Sequence, residues 1–277
     1  MDETGIRAIT DEEFHHYREH GWVKLPQLIS EDLAGRLLER AKGIMGPDGS
    51  QNVMRGDTDV ASNPWQDHHG VCEEDELFGA VGLGAEMGHN AQRLMRRDIG
   101  VLMWTNLLAV KIGTQQKTGV PASAPTDWHQ DGPGSLPMDR AGRITFWIAL
   151  DHITPDMGLV RWIDRSHTLG ALGNMVKDGH LRCPLLDVYP ELREMPVTKP
   201  EPFRPGDATA HAMYTVHEAP ANTTDRPRWT MILNYVPSDT IYTGVQTGSQ
   251  ASLKKIAKAG LSAGEPFGGP LYPRIYG

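Results

Sequence analysis

Thr126-Asp127-Trp128-His129-Gln130-Asp131-Gly132 is the most informative stretch of the chain. In an extended segment, side chains alternate between faces. His129 and Asp131 then point the same way, about 7 Å apart along the strand. From there an imidazole nitrogen and a carboxylate oxygen can converge on one metal ion. A third ligand has to come from elsewhere. Two histidines and one carboxylate on one face of an octahedron leave three positions open, the arrangement of non-haem Fe(II) oxygenases. His-x-Asp alone is a weak signal, and a surface His and Asp beside a turn is the plain alternative.

The next informative region lies downstream. Gly206-Asp207 marks a turn, and an extended stretch leads from it to His217. His211 and His217 fall on one strand face by parity, so each is a candidate third ligand. Arg228 follows His217 by eleven residues and opens Arg228-Trp229-Thr230-Met231-Ile232-Leu233-Asn234-Tyr235. Arg228, Thr230 and Asn234 share one face; Trp229, Met231, Leu233 and Tyr235 share the other. A polar face with one arginine inside an apolar barrel needs an anion to pair with. A guanidinium fork suits a carboxylate. A dicarboxylate cosubstrate supplies one; an internal Arg–Asp pair is the alternative.

The rest of the chain frames these motifs. Thr10 with Glu13 three residues on forms a capping-box pattern before a helix that Gly21 stops. Trp22 to Leu25 reads as a short strand. Ser30-Glu31-Asp32 opens a second helix that ends near Gly46-Pro47. Residues 48–75 are polar and turn-rich, and read as one long loop, either a lid or a mobile insertion. A helical patch follows around 84–97. From about residue 100 the texture changes to strands: Val101–Ile112, Ile144–Asp151, Leu159–Ile163, Asp207–His217 and Trp229–Val236. Short strands between Gly, Pro and Asp turns point to a sandwich or jelly-roll barrel. Residues 250–259 read as a last helix before a Gly/Pro-rich tail. No linker divides the chain, so a single domain over 1–277 is expected. Its helical part spans about 1–100, its β core about 101–240 and its C-terminal helix and tail 241–277.

Composition bounds the function. The 277 residues carry 27 Lys+Arg against 35 Asp+Glu, a formal charge of −8, which argues against a nucleic-acid or anionic-membrane surface. The longest apolar run, Ile144 to Leu150, is far too short to span a bilayer. Cys72 and Cys183 make no disulfide framework, and the start of the sequence lacks a secretory pattern. The expectation is a cytoplasmic protein. Six other histidines read as follows: His15, His16 and His20 on a solvated helix face, His68 and His69 as mobile surface in the long loop or as groups that close over a substrate, and His167 as structural; His152 and His180 are unassigned.

Taken together, Trp128-His129-Gln130-Asp131, Thr145 to Asp151, Gly158-Leu159 through Ser166-His167, Gly206-Asp207, His217 and Arg228 resemble the phytanoyl-CoA dioxygenase family. So does the N-terminal stretch Thr10 to Met45, with His20-Gly21-Trp22 and then Leu25-Pro26. The resemblance implies a double-stranded β-helix with flanking helices and an Fe(II)- and 2-oxoglutarate-dependent oxygenase that uses O2. It makes His129, Asp131 and His217 the iron ligands, in preference to His211. Arg228 is to hold the distal carboxylate of 2-oxoglutarate, with Trp147 and Gln130 lining the cosubstrate pocket. The chain departs from the common pattern at Asp156-Met157-Gly158 and at Trp162 to Ser166, loop positions that leave the iron motif intact. The implied chemistry is oxidation of a small organic molecule, hydroxylation first, with succinate and CO2 as coproducts. Desaturation, cyclisation and epimerisation are alternatives, and a natural-product intermediate is the expected substrate. Two other classes stay open: a non-catalytic jelly-roll binding module, and a cupin-like metalloenzyme without 2-oxoglutarate.

Overall fold

The computed structural model describes residues 4–51, 66–95, 98–117, 122–132, 137–172, 176–177, 180–181, 184–245 and 250–277. Helix α1 (Asp11–His20) starts at Thr10, whose hydroxyl accepts from Glu13 N while the Glu13 carboxylate accepts from Thr10 N. Gly21 ends it at φ 81°, a left-handed cap that turns the chain into β1 (Trp22–Leu25). Helix α2 (Glu31–Met45) is capped by the Ser30 hydroxyl. Next come β2 (Gln66–His69), α3 (Val71–Glu74), α4 (Glu76–Gly82) and α5 (Ala85–Met95). The β core holds β3 (Val101–Lys111), β4 (Thr126–His129), β5 (Ile144–Ala149) and β6 (Arg161–Trp162). The small ladder β7 (Val176–Lys177) and β8 (His180–Leu181) precedes α6 (Leu185–Val188). Strands β9 (Ala208–Ala212), β10 (His217–Ala219) and β11 (Arg228–Pro237) complete the core; α7 (Gln250–Ala259) and β12 (Arg274–Tyr276) close the chain.

Two antiparallel sheets make a double-stranded β-helix. The large sheet runs β1-β9-β5-β11-β3-β12, with β2 also paired to β3; the small sheet runs β4-β10-β6. The period of two decides which face goes where. Trp229, Met231, Leu233 and Tyr235 of β11 point outward with Phe146 and Ile148 of β5 and Ala208 and Ala210 of β9. There they join Leu33, Leu37 and Ala41 of α2 and Met87, Ala91 and Leu94 of α5 in one apolar core. Burial of each large side chain there contributes about 1.5–3 kcal/mol. The inward faces carry Lys111, Thr145, Trp147, Thr209, His211, Arg228, Thr230 and Asn234, all nearly inaccessible to solvent. Polar residues at that depth mark the inside of the jelly roll as the place where chemistry happens.

The expected elements recur with three corrections. The 48–75 stretch is not one loop: Gln66–His69 forms β2 against β3, and α3 follows at once. Residues 52–65 of that stretch, with Arg55-Gly56-Asp57, lie outside the described residues, as does Cys183. Asp207–His217 is not one extended segment. The chain turns after Ala212, where Thr215 N donates to Ala212 O, and the Thr215 hydroxyl donates to Gly21 O. It then crosses from the large sheet to the small one. The tail is not all irregular, because β12 pairs with the start of β3. Two histidine readings also change. His68 is buried with its Nε2 2.9 Å from Glu74, and His20 Nδ1 lies 2.8 Å from Asp164, which also accepts from Trp22 Nε1. Among the described residues no helix is long and apolar enough to cross a membrane.

Candidate metal centre and cosubstrate pocket

Strands β4 and β10 are antiparallel neighbours, with His129 directly opposite His217. Their rings lie 4.2 Å apart, centroid to centroid. Asp131 sits just past the end of β4. One ligand atom from each of His129, Asp131 and His217 lies within 4.8 Å of the others, the geometry of a three-ligand metal site. The imidazoles are prepared for it. His129 Nδ1 is 2.7 Å from Asp127 O, and His217 Nδ1 is 2.9 Å from Thr215 O. Each carbonyl accepts an N–H from Nδ1, which leaves Nε2 as a lone-pair donor on both rings. Burial, and then the neighbouring rings of His129 and His211, hold His217 well below the ordinary imidazole range, so it stays neutral. Burial alone would raise the Asp131 carboxyl. Arg143, His211 and His217 together hold it well below the ordinary range, so it stays charged.

His211, the competing third ligand, faces the same interior from the large sheet. Its Nε2 is 3.3 Å from Asp131 Oδ2, and its ring is 4.3 Å from that of His217. The pair His211 and His217 therefore arises from two sheets facing one cavity, not from parity along one strand.

The second half of the site lies deeper, on β11 and β3. Arg228 is buried opposite Lys111. One Arg228 N–H donates to Gly158 O, and the guanidinium lies 5.4 Å from the Trp147 ring. Gly158 (φ 75°) is required there, because a Cβ would stand 2.2 Å from Pro220 O. Arg228 Nε is buried with no hydrogen-bond partner among the described residues, and burial lowers the guanidinium to about 10. Lys111 Nζ donates to Ala219 O at 2.7 Å and Pro220 O at 2.5 Å. Burial and the charge of Arg228 lower its amine to about 7. Asp67 of β2 lies on the next inward rung, opposite Ala109, which is itself opposite Thr230. Burial raises its carboxyl to about 7 against the pull of Arg228. One amine, Lys111, and one carboxyl, Asp67, thus stand near a guanidinium whose buried N–H calls for an acceptor.

Of the sequence candidates, His129, Asp131 and His217 come together, and Arg228 and Trp147 come together. Gln130 is turned the other way. Its amide donates to Gly170 O (2.8 Å) and Tyr214 O (2.6 Å), and its carbonyl accepts from Leu172 N (2.9 Å). Lys111, Asp67 and Arg143 were not singled out by sequence. Lys111 had a visible signal, a lone charge near the end of the apolar-rich stretch Val101–Ile112. Asp67 had none, since its stretch read as loop.

A jelly roll with a His-x-Asp and a distant His at one end, over a buried arginine, is the arrangement of the non-haem Fe(II)/2-oxoglutarate oxygenases. Comparison with known proteins agrees. The phytanoyl-CoA dioxygenase (PhyH) pattern matches residues 17–230. A methylphosphonate hydroxylase of Gimesia maris is 27% identical over 234 residues, covering 82% of this chain and 81% of that one. The non-haem alpha-ketoglutarate-dependent carbocyclase SnoK from nogalamycin biosynthesis superposes with a TM-score of 0.74 at 25% identity, over 97% of this chain and 98% of that one. The epimerase SnoN, solved with Fe3+, alpha-ketoglutarate and nogalamycin RO, shares the fold at a TM-score of 0.76 and 21% identity, over 96% and 98%. This chain belongs to the phytanoyl-CoA dioxygenase family. It is an Fe(II)/2-oxoglutarate-dependent oxygenase that acts on a small molecule with O2.

Proposed function

We propose that His129, Asp131 and His217 hold the iron, that Arg228 binds the distal carboxylate of 2-oxoglutarate, and that the enzyme hydroxylates a small natural-product-like molecule. The carrying observation is the pairing of a His-Asp-His cluster with a buried guanidinium whose Nε has no hydrogen-bond partner among the described residues. The donor set of two imidazole nitrogens and one carboxylate oxygen suits Fe(II). When bound, iron and 2-oxoglutarate supply the oxidant: O2 is consumed, the oxo acid leaves as succinate and CO2, and the substrate is oxidised. The chain's own residues do the rest. Asp127 O and Thr215 O fix the two imidazoles. Arg228 and Lys111 orient the oxo acid by its far carboxylate, and Trp147 walls that pocket from water. Gln130 acts at one remove, by tying loop 170–172 and Tyr214 to the metal strand. Presence of Asp131 favours hydroxylation, because that carboxylate occupies a position a halide would need. The carbocyclase relative supports cyclisation as the second reading, and the methylphosphonate hydroxylase supports a small polar substrate as the limiting case. The free buried thiol of Cys72 suits a reducing cytoplasm.

The test is an anaerobic Fe(II) titration with and without 2-oxoglutarate, followed by visible absorption, on wild type and His217→Ala. A weak band that needs both components and is lost in the variant is expected. Iron-loaded wild type with no 2-oxoglutarate-dependent band would sink the assignment.

A further inference from the structure

We infer that Arg143, with Thr145 and His211, is the positioning group that makes Asp131 a one-oxygen ligand; this rests on the metal triad proposed above. Asp131 lies beyond the last residue of β4, so no strand ladder fixes its side chain. The large sheet does so instead. Trp22, His211, Thr145, Asn234 and Thr105 form one row of directly opposed residues across β1, β9, β5, β11 and β3. The middle of that row meets the back of the carboxylate. Asp131 Oδ2 accepts from the Thr145 hydroxyl at 2.6 Å and lies 3.3 Å from both His211 Nε2 and an Arg143 terminal nitrogen. Asp131 Oδ1 is the oxygen on the His217 side, 3.9 Å from Nε2.

Arg143 is itself held. Its Nε and one terminal nitrogen donate to Asn234 Oδ1 at 3.1 and 2.7 Å, and Asn234 Nδ2 donates to Thr105 Oγ1 at 2.9 Å. The Thr145 hydroxyl has one proton, and it also stands 2.8 Å from Asn234 Oδ1. That amide oxygen already accepts twice from Arg143, so the proton goes to the charged carboxylate at the shorter distance. The division of labour is plain. The small sheet supplies both imidazoles, and the large sheet clamps the far oxygen of the acid.

The consequence is chemical. A carboxylate free at both oxygens can chelate the metal and fill one of the three positions that the facial arrangement leaves open. A chelating oxo acid and O2 together need all three. Saturating Oδ2 from behind keeps that position free.

Two readouts on metal-loaded protein without cosubstrate test this. One is Mn(II) affinity. The other is water-proton relaxation of the Mn(II) protein, which reports how many waters the metal carries. Arg143→Met and Thr145→Val are expected to weaken Mn(II) binding by about 10–100-fold and to lower the bound-water count below that of wild type. Thr145→Ser, which restores the hydroxyl, is expected to recover both values. Thr145→Val changes little volume, so it keeps the test open if Arg143→Met does not fold. Arg143→Met and Thr145→Val with wild-type affinity and water count, beside a His217→Ala that loses the metal, overturn the positioning role and leave the triad standing. A His217→Ala protein that binds Mn(II) like wild type sinks both.

Discussion

The two ends of the proposed active site, the metal end and the cosubstrate end, are built in different ways. Arg228 and Lys111 stand on β11 and β3, two long strands paired without a break from Arg228 to Asn234. His129, Asp131 and His217 stand on a four-residue strand, a bend past its end, and the first residue of a three-residue strand. The cosubstrate end is thus a rigid sheet face, buried on both sides. The metal end is a junction, and its geometry is held by side-chain bonds to carbonyls and to the opposite sheet. The difference predicts separable failures: the metal end is lost by removing a donor, the cosubstrate end by removing a charge.

The largest expected effect breaks the comparison cleanly. Arg228→Met removes one partner of a buried charge pair, which costs about 2–5 kcal/mol of 2-oxoglutarate binding, roughly 30-fold to several thousand-fold. Metal affinity is expected to stay at the wild-type value, because Arg228 makes its contacts at Gly158 O and the Trp147 ring, away from the proposed metal ligands. His217→Ala should do the reverse and remove the metal first. Parallel titrations of both variants with Mn(II) and with 2-oxoglutarate measure the separation. Loss of metal binding in Arg228→Met would merge the two ends into one unit.

What the sequence made legible follows the same division. Along β11, alternation sorted Arg228, Thr230 and Asn234 from Trp229, Met231, Leu233 and Tyr235, and the structure puts the second set in the apolar core. A long strand carries its own ruler, so parity is enough. Between Asp207 and His217 the same ruler misled, because a turn at Thr215 resets the phase. His211 and His217 still face one cavity, since both sheets do. Asp67 stayed hidden because β2 borrows its order from β3 and shows little β propensity of its own in Gln-Asp-His-His. Arg143 is invisible for another reason: its partner Asn234 lies 91 residues away, and no local pattern announces such a pair.

A smaller effect tests the two faces of β11 against each other. Leu233→Ala, on the outer face, deletes a fully buried side chain and is expected to cost about 2–5 kcal/mol of stability. Affinity for 2-oxoglutarate in the folded fraction should not move. Urea melts and calorimetric titration measure the two quantities. Gln130→Ala belongs below it. It leaves Leu172 N and two carbonyls without their partner, a loss of about 1–3 kcal/mol. A large rise in the 2-oxoglutarate dissociation constant in that variant would instead put Gln130 in the pocket.

The remaining expected effect is a slope with pH, and only the cosubstrate end should show it. Burial and Arg228 lower the Lys111 amine to about 7, and burial raises the Asp67 carboxyl to about 7. A bound carboxylate favours the protonated form of each, a charged ammonium and a neutral acid. Above pH 7 both groups are largely deprotonated in the free protein, so binding must take up protons. Affinity for 2-oxoglutarate therefore falls as pH rises from 7 to 9, by up to about tenfold per pH unit for each proton taken up. The effect on folding has the opposite sign for Lys111. Its unfolded value is near 10.4, so between 7 and 10 the unfolded chain binds more protons and stability rises with pH. Lys111→Met should weaken binding at pH 7 and flatten the slope above it, and Asp67→Asn should flatten the slope alone. A wild-type dissociation constant that stays level from pH 7 to 9 would mean that neither group senses the cosubstrate, and that Arg228 meets its anion unaided.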